Sequence, residues 1–211
     1  MPRKGSLIIV SGPSGAGKSA LVSAVLAVMP EVCFSVSYTT RAPRGSERDG
    51  VEYHFVAKDE FESLIRRGDL LEWAEVYGNY YGAARKFIDD NLVQGNDVLL
   101  DVDVQGARTI RDRRREAISV FIMPPSYQVL RMRLENRKLD KRYVIEQRLK
   151  IARHEISYYR DYEYLIVNNS FDASVEELKA VILGSRCRMG ARAESAESIV
   201  ATFGGMDAEN P

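Results

Sequence analysis

The sequence has little of what identifies a secreted or membrane-bound protein. Its 211 residues include two cysteines, Cys33 and Cys187, which lie far apart and form no metal-ligand cluster. No apolar run approaches the about 20 residues that span a bilayer, and residues 7–10 are too short for a signal-peptide core. We therefore expect a cytoplasmic protein whose cysteines stay reduced.

The sequence also lacks an excess of charge of either sign. Lysine and arginine total 30, as do aspartate and glutamate, so no global field would attract nucleic acid or a membrane. No internal repeat or low-complexity stretch is visible, and nothing indicates an obligatory protein partner. Two segments are locally basic: residues 111–115, which suit the C-terminal end of a solvated helix, and residues 131–153.

One glycine-rich segment has the complete pattern of a phosphate-binding loop. A short apolar run at residues 7–10 precedes it, and residues 20–29 follow it as a predicted helix with one apolar side. Glycines allow backbone N–H groups to face an anion, and the helix N-terminus adds a favourable dipole. We expect Lys18 to neutralise the β- and γ-phosphates of a nucleotide and Ser19 to bind Mg²⁺. A glycine-rich turn of another α/β protein is the alternative. The segment consists of Gly12, Pro13, Ser14, Gly15, Ala16, Gly17, Lys18 and Ser19.

The apolar segments predict an α/β fold. Buried strands at residues 7–10, 97–102, 117–122 and 164–167 alternate with helices, and a further strand lies near residues 32–37. This alternation predicts three layers, with a parallel sheet of about five strands between two layers of helices. Helices are predicted at residues 105–115, 126–137 and 141–159, and a capping box at Ser174 is expected to begin the final helix.

The segment from residue 38 to residue 94 departs from this alternation and predicts an inserted subdomain. It contains a helix at 59–67 capped by Asp59, two strands around a Gly78-Asn79 turn, and a helix at 84–94. Residues 190–211 are small and polar, and we expect them to form a flexible tail.

A second anion site is predicted inside this subdomain. Arg41 and Arg44 lie three residues apart beside hydroxyl side chains, and two guanidinium groups can hold one phosphate bidentately. Tyr53 and Tyr81 offer further hydroxyl donors, although packing against the Phe55 and Tyr80 rings is an alternative role for them.

Several separated motifs together resemble guanylate kinase. They are the phosphate loop, S-x-S-x-T-T-R-x-x-R at residues 35–44, G-x-x-Y-x-F at 50–55, E-W at 72–73, G-N-Y-Y-G at 78–82, and D-x-D-x-Q-G at 101–106. The resemblance covers about residues 6 to 183. It implies a P-loop NTPase-type core (residues 1–36, 96–136 and 150–189), a GMP-binding subdomain (37–95) and a mobile helical lid (137–149). It also implies the reaction Mg-ATP + GMP ⇌ ADP + GDP.

The resemblance assigns roles residue by residue. The GMP phosphate would bind the arginines and tyrosines above, and guanine would bind Ser37, Glu72 and Asp103. This is chemically reasonable, because guanine offers N1–H and N2–H₂ donors to a carboxylate and an O6 acceptor to a hydroxyl. The catalytic residues would be Lys18, Arg41, Asp101, Arg137 and Arg148. The phosphate loop, Arg133 and Asn168 would bind ATP.

Other interpretations of these carboxylates remain open. The alternative role of Glu72 is a surface carboxylate on a strand, and that of Asp101 or Asp103 is to cap the helix near residue 105. The chain also departs from the family's pattern. Ala83 stands where Ser or Thr is usual, and residues 138–143 are basic and lack the usual hinge glycine.

Two other functions compete with an active guanylate kinase. One is a kinase-like module that binds phosphorylated peptides, but such modules usually have degraded phosphate loops, whereas this loop is complete. The other is a kinase of a phosphorylated sugar, which the pairing of Ser37 with Glu72 disfavours.

Overall fold

The structure is a computed structural model that describes residues 3–76, 78–136 and 142–203. Its strands are β1 (Leu7–Ser11), β2 (Val32–Phe34), β3 (Tyr38–Thr39), β4 (His54–Phe55), β5 (Leu70–Val76), β6 (Asn79–Ala84), β7 (Asp97–Asp101), β8 (Ile118–Met123) and β9 (Tyr164–Val167). Its α-helices are α1 (Lys18–Val28), α2 (Lys58–Arg67), α3 (Arg85–Val93), α4 (Val104–Arg113), α5 (Tyr127–Asn136), α6 (Arg142–Glu155), α7 (Phe171–Ser185) and α8 (Met189–Thr202).

A parallel five-stranded sheet in the order β2-β7-β1-β8-β9 forms the centre of the core. In the central pairs, Ile9 lies opposite Leu100 and Ile8 opposite Ile118. Helices α1 and α7 cover one face through residues such as Leu21 and Leu178, and α3 and α4 cover the other. The predicted three-layer α/β architecture and five parallel strands are confirmed. Because the strands are parallel, their carboxyl ends and the loops that follow them share one edge.

The segment between β2 and α3 contains a second sheet. Its order is β4-β3-β6-β5, with antiparallel β3–β6 and β5–β6 pairs and a parallel β3–β4 pair. Helix α2 covers this sheet through Phe61 and Leu64, which pack with Leu70. The local departure from α/β alternation therefore corresponds to a separate small core.

A third apolar cluster joins α5 to α6. Leu130 and Leu134 of α5 pack with Ile145, Leu149 and Ala152 of α6. This packing follows from the helical spacing of these residues, and Arg133 of α5 reaches the Ala16 carbonyl of the phosphate loop.

Buried Asp97 connects the N-terminal segment of the chain to the end of α7. Its carboxylate accepts hydrogen bonds from Arg3 at 2.7 and 2.8 Å, from the Ser6 backbone N–H at 2.9 Å and from Arg186 at 2.8 Å. A fully buried carboxylate is tolerated because cations and a backbone donor surround it.

The prediction of a flexible tail from residue 190 was wrong for the described part of it. Residues 189–202 form α8, because alanines with high helix propensity recur along this segment. The Ser195 side chain is buried, and Arg192 donates a hydrogen bond to the Arg186 carbonyl, so the helix is attached to the core. Residues 204–211 of the predicted tail lie outside the described residues.

Several predicted element ends also differ. Helix α2 begins at Lys58 after Ala57, so Asp59 lies in its first turn, where its charge suits the helix dipole, and does not cap it. The final core helix begins at Phe171, and Ser174 is buried within it. The helix predicted to residue 159 ends at Glu155 and continues as a 3₁₀ helix over Ile156–Asp161. None of the helices in the described ranges is both long and apolar enough to cross a membrane.

Candidate active site

The phosphate loop connects β1 to α1 and depends on its glycines. Gly12, Gly15 and Gly17 have φ values of 137°, 90° and 100°, which L side chains rarely adopt. A Cβ at Gly12 would lie 2.3 Å from the Ile122 carbonyl oxygen, and one at Gly17 would lie 2.3 Å from Asn168 Nδ2. The loop therefore approaches its neighbours too closely for any side chain at these positions.

Lys18 and Ser19 occupy the first turn of α1, where the helix dipole favours an anion. The Lys18 ammonium donates a 2.8 Å hydrogen bond to the Gly12 carbonyl and therefore lies over the loop. The Ser19 hydroxyl donates a 2.8 Å hydrogen bond to Asp101 Oδ2 at the end of β7. Ser19, which is predicted to bind Mg²⁺, therefore contacts the predicted catalytic carboxylate Asp101, while Lys18 contacts the backbone of the loop.

The donor set at Ser19 and Asp101 suits magnesium. Mg²⁺ prefers oxygen ligands and usually binds through one or two protein groups together with substrate phosphates. Among the described residues, no group of three or more His, Cys, Asp or Glu could hold a metal by itself. A hydroxyl and a carboxylate beside a phosphate loop match a metal that arrives with its nucleotide.

Arg133 and Asn168 both donate hydrogen bonds to the Ala16 carbonyl of the phosphate loop. Arg133 donates to the carbonyls of Ala16 at 3.2 Å and Asn168 at 2.9 Å, and the buried Asn168 amide donates to the Ala16 carbonyl at 2.8 Å. These bonds show how both residues shape the loop. Their predicted contacts with ATP stay predictions.

The arginine-tyrosine cluster draws on three strands of the second sheet: Arg41 follows β3, Tyr53 precedes β4 and Tyr81 lies within β6. The Arg41 guanidinium lies 5.3 Å from the Tyr53 ring centroid, and the Tyr53 and Tyr81 rings lie 5.8 Å apart, edge to face. Burial, and secondarily the charge of Asp101, raise the pKa of Tyr53 to about 12. Tyr53 therefore remains a neutral hydrogen-bond donor, and the charge of Asp101, at the end of β7, reaches it. Arg44 is exposed beside them.

Two carboxylates from different parts of the fold meet beside α4. Glu72, on β5, is buried, and Asp103 precedes α4 and accepts a 2.7 Å hydrogen bond from the Gly106 backbone N–H. A Cβ placed on Gly106 would lie 2.9 Å from Glu72 Oε2 and 3.3 Å from Asp103 Oδ1. Burial, and secondarily the charge of Asp103, raise the pKa of Glu72 to about 8. Such a pair would bind a ligand edge rich in N–H donors.

The burial and hydrogen bonds of these carboxylates distinguish between the interpretations that the sequence left open. Glu72 is not a surface residue. Asp103 does cap α4, as one interpretation held, and it faces Glu72 while doing so. Asp101 bonds to Ser19 instead, so the two aspartates have separate partners.

The remaining predicted residues are placed less directly. Ser37 lies between β2 and β3, and its carbonyl accepts the His54 N–H at 2.9 Å. Ala83 is buried and pairs with Glu72 across β5 and β6, and its N–H lowers the pKa of Glu72. A backbone donor thus faces Glu72 where the family usually adds a hydroxyl.

Of the two arginines predicted to act from the lid region, Arg148 lies on α6 and is half-buried. Arg137 and residues 138–141 of the predicted lid lie outside the described residues.

Two acidic residues at this site were missed by sequence reasoning. Glu47 bonds to Arg41, and the arrangement Arg44-Gly45-Ser46-Glu47, an acid closing a glycine turn, is the pattern that could have indicated it. Glu155, at the end of α6, faces the phosphate loop. Its burial raises its pKa, against the smaller effects of the Lys18 charge and the Ser14 backbone N–H. Nothing local in the sequence distinguishes Glu155 from its exposed neighbours.

The sequence and the fold are both similar to those of known guanylate kinases. The family model described as guanylate kinase matches residues 4–184. A guanylate kinase of Vibrio parahaemolyticus is 52% identical over 187 residues, which are 88% of this chain and 90% of the relative. One of Geobacter metallireducens is 45% identical over 188 residues, covering 89% and 93%. The crystal structure of guanylate kinase from Anaplasma phagocytophilum superposes with a TM-score of 0.80 at 33% identity, covering 95% of this chain and 96% of that one. The chain therefore belongs to the guanylate kinase family.

Proposed function

We propose that the protein transfers the γ-phosphoryl group of ATP to the phosphate of GMP and so forms ADP and GDP. One relationship carries the proposal: Asp101 bonds to the phosphate loop, and its charge acts on Tyr53 of the arginine-tyrosine cluster. Asp101 accepts the Ser19 hydrogen bond on one side and affects the pKa of Tyr53 on the other. Two anion-binding groups so placed can bring two phosphates together.

The donor side is built from the phosphate loop. We infer that the N–H groups of residues 12–19 and the Lys18 ammonium bind the ATP phosphates, and that Arg133 and Asn168 keep the loop in shape beside the nucleotide. Ser19 would hold Mg²⁺ together with phosphate oxygens, and Asp101 would act on the ion indirectly, through the Ser19 hydroxyl. When bound, the ion neutralises charge that develops during transfer.

The acceptor side explains a preference for guanine. Arg41, Arg44, Tyr53 and Tyr81 would hold the monophosphate, while Ser37, Glu72 and Asp103 would bind the base. Ionised Glu72 and Asp103 can accept hydrogen bonds from guanine N1–H and N2–H₂. Adenine has an acceptor at N1 and no amino group at C2, so AMP would leave Glu72 buried without a partner. A site of this kind can discriminate by roughly 10⁴.

The transfer needs positioning and charge neutralisation more than covalent chemistry by the protein. The bond between the γ-phosphorus and its bridging oxygen breaks as a GMP phosphate oxygen bonds to that phosphorus. Lys18, Arg41, Arg137 and Arg148 would neutralise the charge shared by the two nucleotides. No proton has to move.

Closure of the site is part of the proposal. The core would comprise residues 1–36, 96–136 and 150–189, the GMP-binding subdomain 37–95 and the lid 137–149. Approach of the lid would exclude water before transfer. The free thiols of Cys33 and Cys187 suit a reducing compartment, and we place the reaction in the cytoplasm.

A coupled assay of ADP formation tests the function directly. With Mg-ATP and each of GMP, AMP, CMP and UMP, we expect rapid turnover of GMP and little of the others. Equal or better use of AMP would contradict the substrate assignment. Capture of a phosphopeptide without nucleotide turnover would instead indicate a binding module.

A further inference from the structure

Glu47 lies at the turn that carries both arginines of the proposed GMP phosphate site. Its two carboxylate oxygens lie 3.0 and 2.9 Å from Arg41 Nη2. One of them also accepts the Arg44 backbone N–H at 2.8 Å, while the Glu47 N–H donates to the Arg44 carbonyl at 3.0 Å. A single acid therefore bonds to the side chain of one arginine and to the backbone of the other.

The conformation of the turn at residues 44–47 depends on the hydrogen bonds of Glu47. Gly45 has a φ of +55°, and residues 44–47 are largely exposed, so little packing determines their conformation. The reciprocal bonds between Arg44 and Glu47 close the turn in the same way that a capping box closes a helix end. Without the carboxylate, only one backbone bond between these two residues would remain.

Arg41 depends on Glu47 for a different reason. Its guanidinium is 9% exposed, and a buried cation is costly unless an anion and hydrogen-bond acceptors accompany it. Burial lowers the pKa of Arg41, and Glu47, with a smaller contribution from Tyr81, more than reverses this. Removal of the carboxylate would favour rotation of the guanidinium toward water and away from Tyr53.

Glu47 leaves room for a phosphate. Arg41 uses Nη1 to reach the Ala42 carbonyl at 2.7 Å and Nη2 to reach Glu47. A guanidinium has five N–H groups, so others remain for a ligand on the Tyr53 side. A carboxylate on one edge and a phosphate on the other can therefore bind Arg41 together.

We propose that Glu47 is a positioning residue for the acceptor phosphate, which holds Arg41 and the Arg44 turn in the geometry that binds the GMP monophosphate. The inference rests on the proposed function. It predicts that the loss of Glu47 weakens binding of the phosphate and not of the base, because Glu72 and Asp103 lie in other elements.

The test compares Glu47→Gln with a matched control, Glu52→Gln. Glu52 belongs to the same loop and accepts the Arg48 backbone N–H at 2.7 Å, an equivalent bond that closes the next turn. For the full chain, we would measure Kd for GMP and for guanosine by calorimetry, and kcat and KM in the coupled assay. Guanosine carries the base without the phosphate.

We expect Glu47→Gln to raise Kd and KM for GMP about tenfold or more, the effect of losing one charge-assisted contact. Its guanosine Kd and its KM for ATP should stay within about twofold of wild type, as should all constants of Glu52→Gln. Glu47→Asp, which keeps the charge, should recover part of the GMP affinity.

Three results would overturn the inference. Unchanged GMP binding would show that Glu47 does not position the site, and tighter GMP binding would show that it competes with the phosphate. Equal weakening of GMP and guanosine would show a general loss of the subdomain's structure. The wild-type assay tests the proposed function alone, whereas the ratio between variant and wild type tests Glu47 alone.

Discussion

The Ser19 hydroxyl donates a 2.8 Å hydrogen bond to Asp101 Oδ2, although the two residues are 82 positions apart in the chain. Parallel pairing of β1 with β7 brings them together, since Val10 lies opposite Asp101 and the phosphate loop begins just after β1. The hydroxyl and the carboxylate therefore stand where Mg²⁺ would accompany the nucleotide.

Replacement of this carboxylate should weaken the use of magnesium. We expect Asp101→Asn to raise the half-saturating Mg²⁺ concentration by about tenfold, as outer-shell changes at metal sites commonly do. Titration of Mg²⁺ at fixed ATP and GMP would measure this. Asp112→Asn, at an exposed position on α4, is the control. An unchanged magnesium requirement in Asp101→Asn would contradict this role of the carboxylate.

Removal of the phosphate-loop lysine should abolish most turnover. We expect Lys18→Ala to lower kcat/KM for ATP by roughly a hundredfold or more, because a preorganised cation beside the transferred group is lost. GMP binding should change little, since the GMP site lies elsewhere. Lys86→Ala removes an exposed ammonium that pairs with Asp90 and should retain full activity. Full activity of Lys18→Ala would disprove the phosphate-loop assignment.

The affinity for the base should depend on pH through Glu72. Burial raises its pKa to about 8, so the carboxyl is largely protonated at pH 6 and ionised above pH 8. Only the ionised form can accept from both guanine donors. The Kd for guanosine should therefore fall about tenfold per pH unit between pH 6 and 7 and level off above pH 8. In Glu72→Gln this pH dependence should disappear. If the wild type and the variant show the same pH profile of guanosine binding, Glu72 is not the titrating group.

The close approach of Gly17 to Asn168 predicts that a side chain at position 17 destabilises the protein. Alanine there would combine a left-handed backbone with a Cβ 2.3 Å from Asn168 Nδ2. We expect Gly17→Ala to lower the free energy of unfolding by about 2 kcal/mol and to weaken ATP binding. Gly184→Ala in α7, where nothing lies within 4 Å of the added Cβ, should stabilise by about 0.5 kcal/mol instead. Urea denaturation would compare them, and equal effects would refute the steric argument.

Asp97 should be among the most sensitive charged positions outside the site. Asp97→Asn removes the charge that two arginines share in a fully buried position, so we expect a loss of about 3 kcal/mol in unfolding free energy. Asp90→Asn, in an exposed pair with Lys86, should change it by less than about 0.5 kcal/mol. Thermal melts at pH 7 would show the difference. A similar melting temperature for both variants would mean that the Asp97 network contributes little.

Local patterns predicted most of the fold. Each core strand is a short apolar run between polar segments, and such runs identify buried parallel strands wherever they occur. The tail was misread because small residues resemble a linker, whereas recurring alanines favour α8 once Arg192 and Ser195 attach it to the core. Element ends were the least predictable part, since Asp59 suits either a cap or a first turn.

Some residues of the site could be identified from the sequence, and others are brought together only by the tertiary structure. Two anion-binding patterns, the glycine loop ending in Lys18 and Ser19 and the pair Arg41 and Arg44, could be identified from the sequence because their chemistry lies within a few consecutive residues. Tertiary structure alone brought Glu72 to Asp103 and Glu155 to the phosphate loop. The pKa of a carboxyl depends on which distant segments bury it and charge its surroundings, and strand pairing and helix packing decide that.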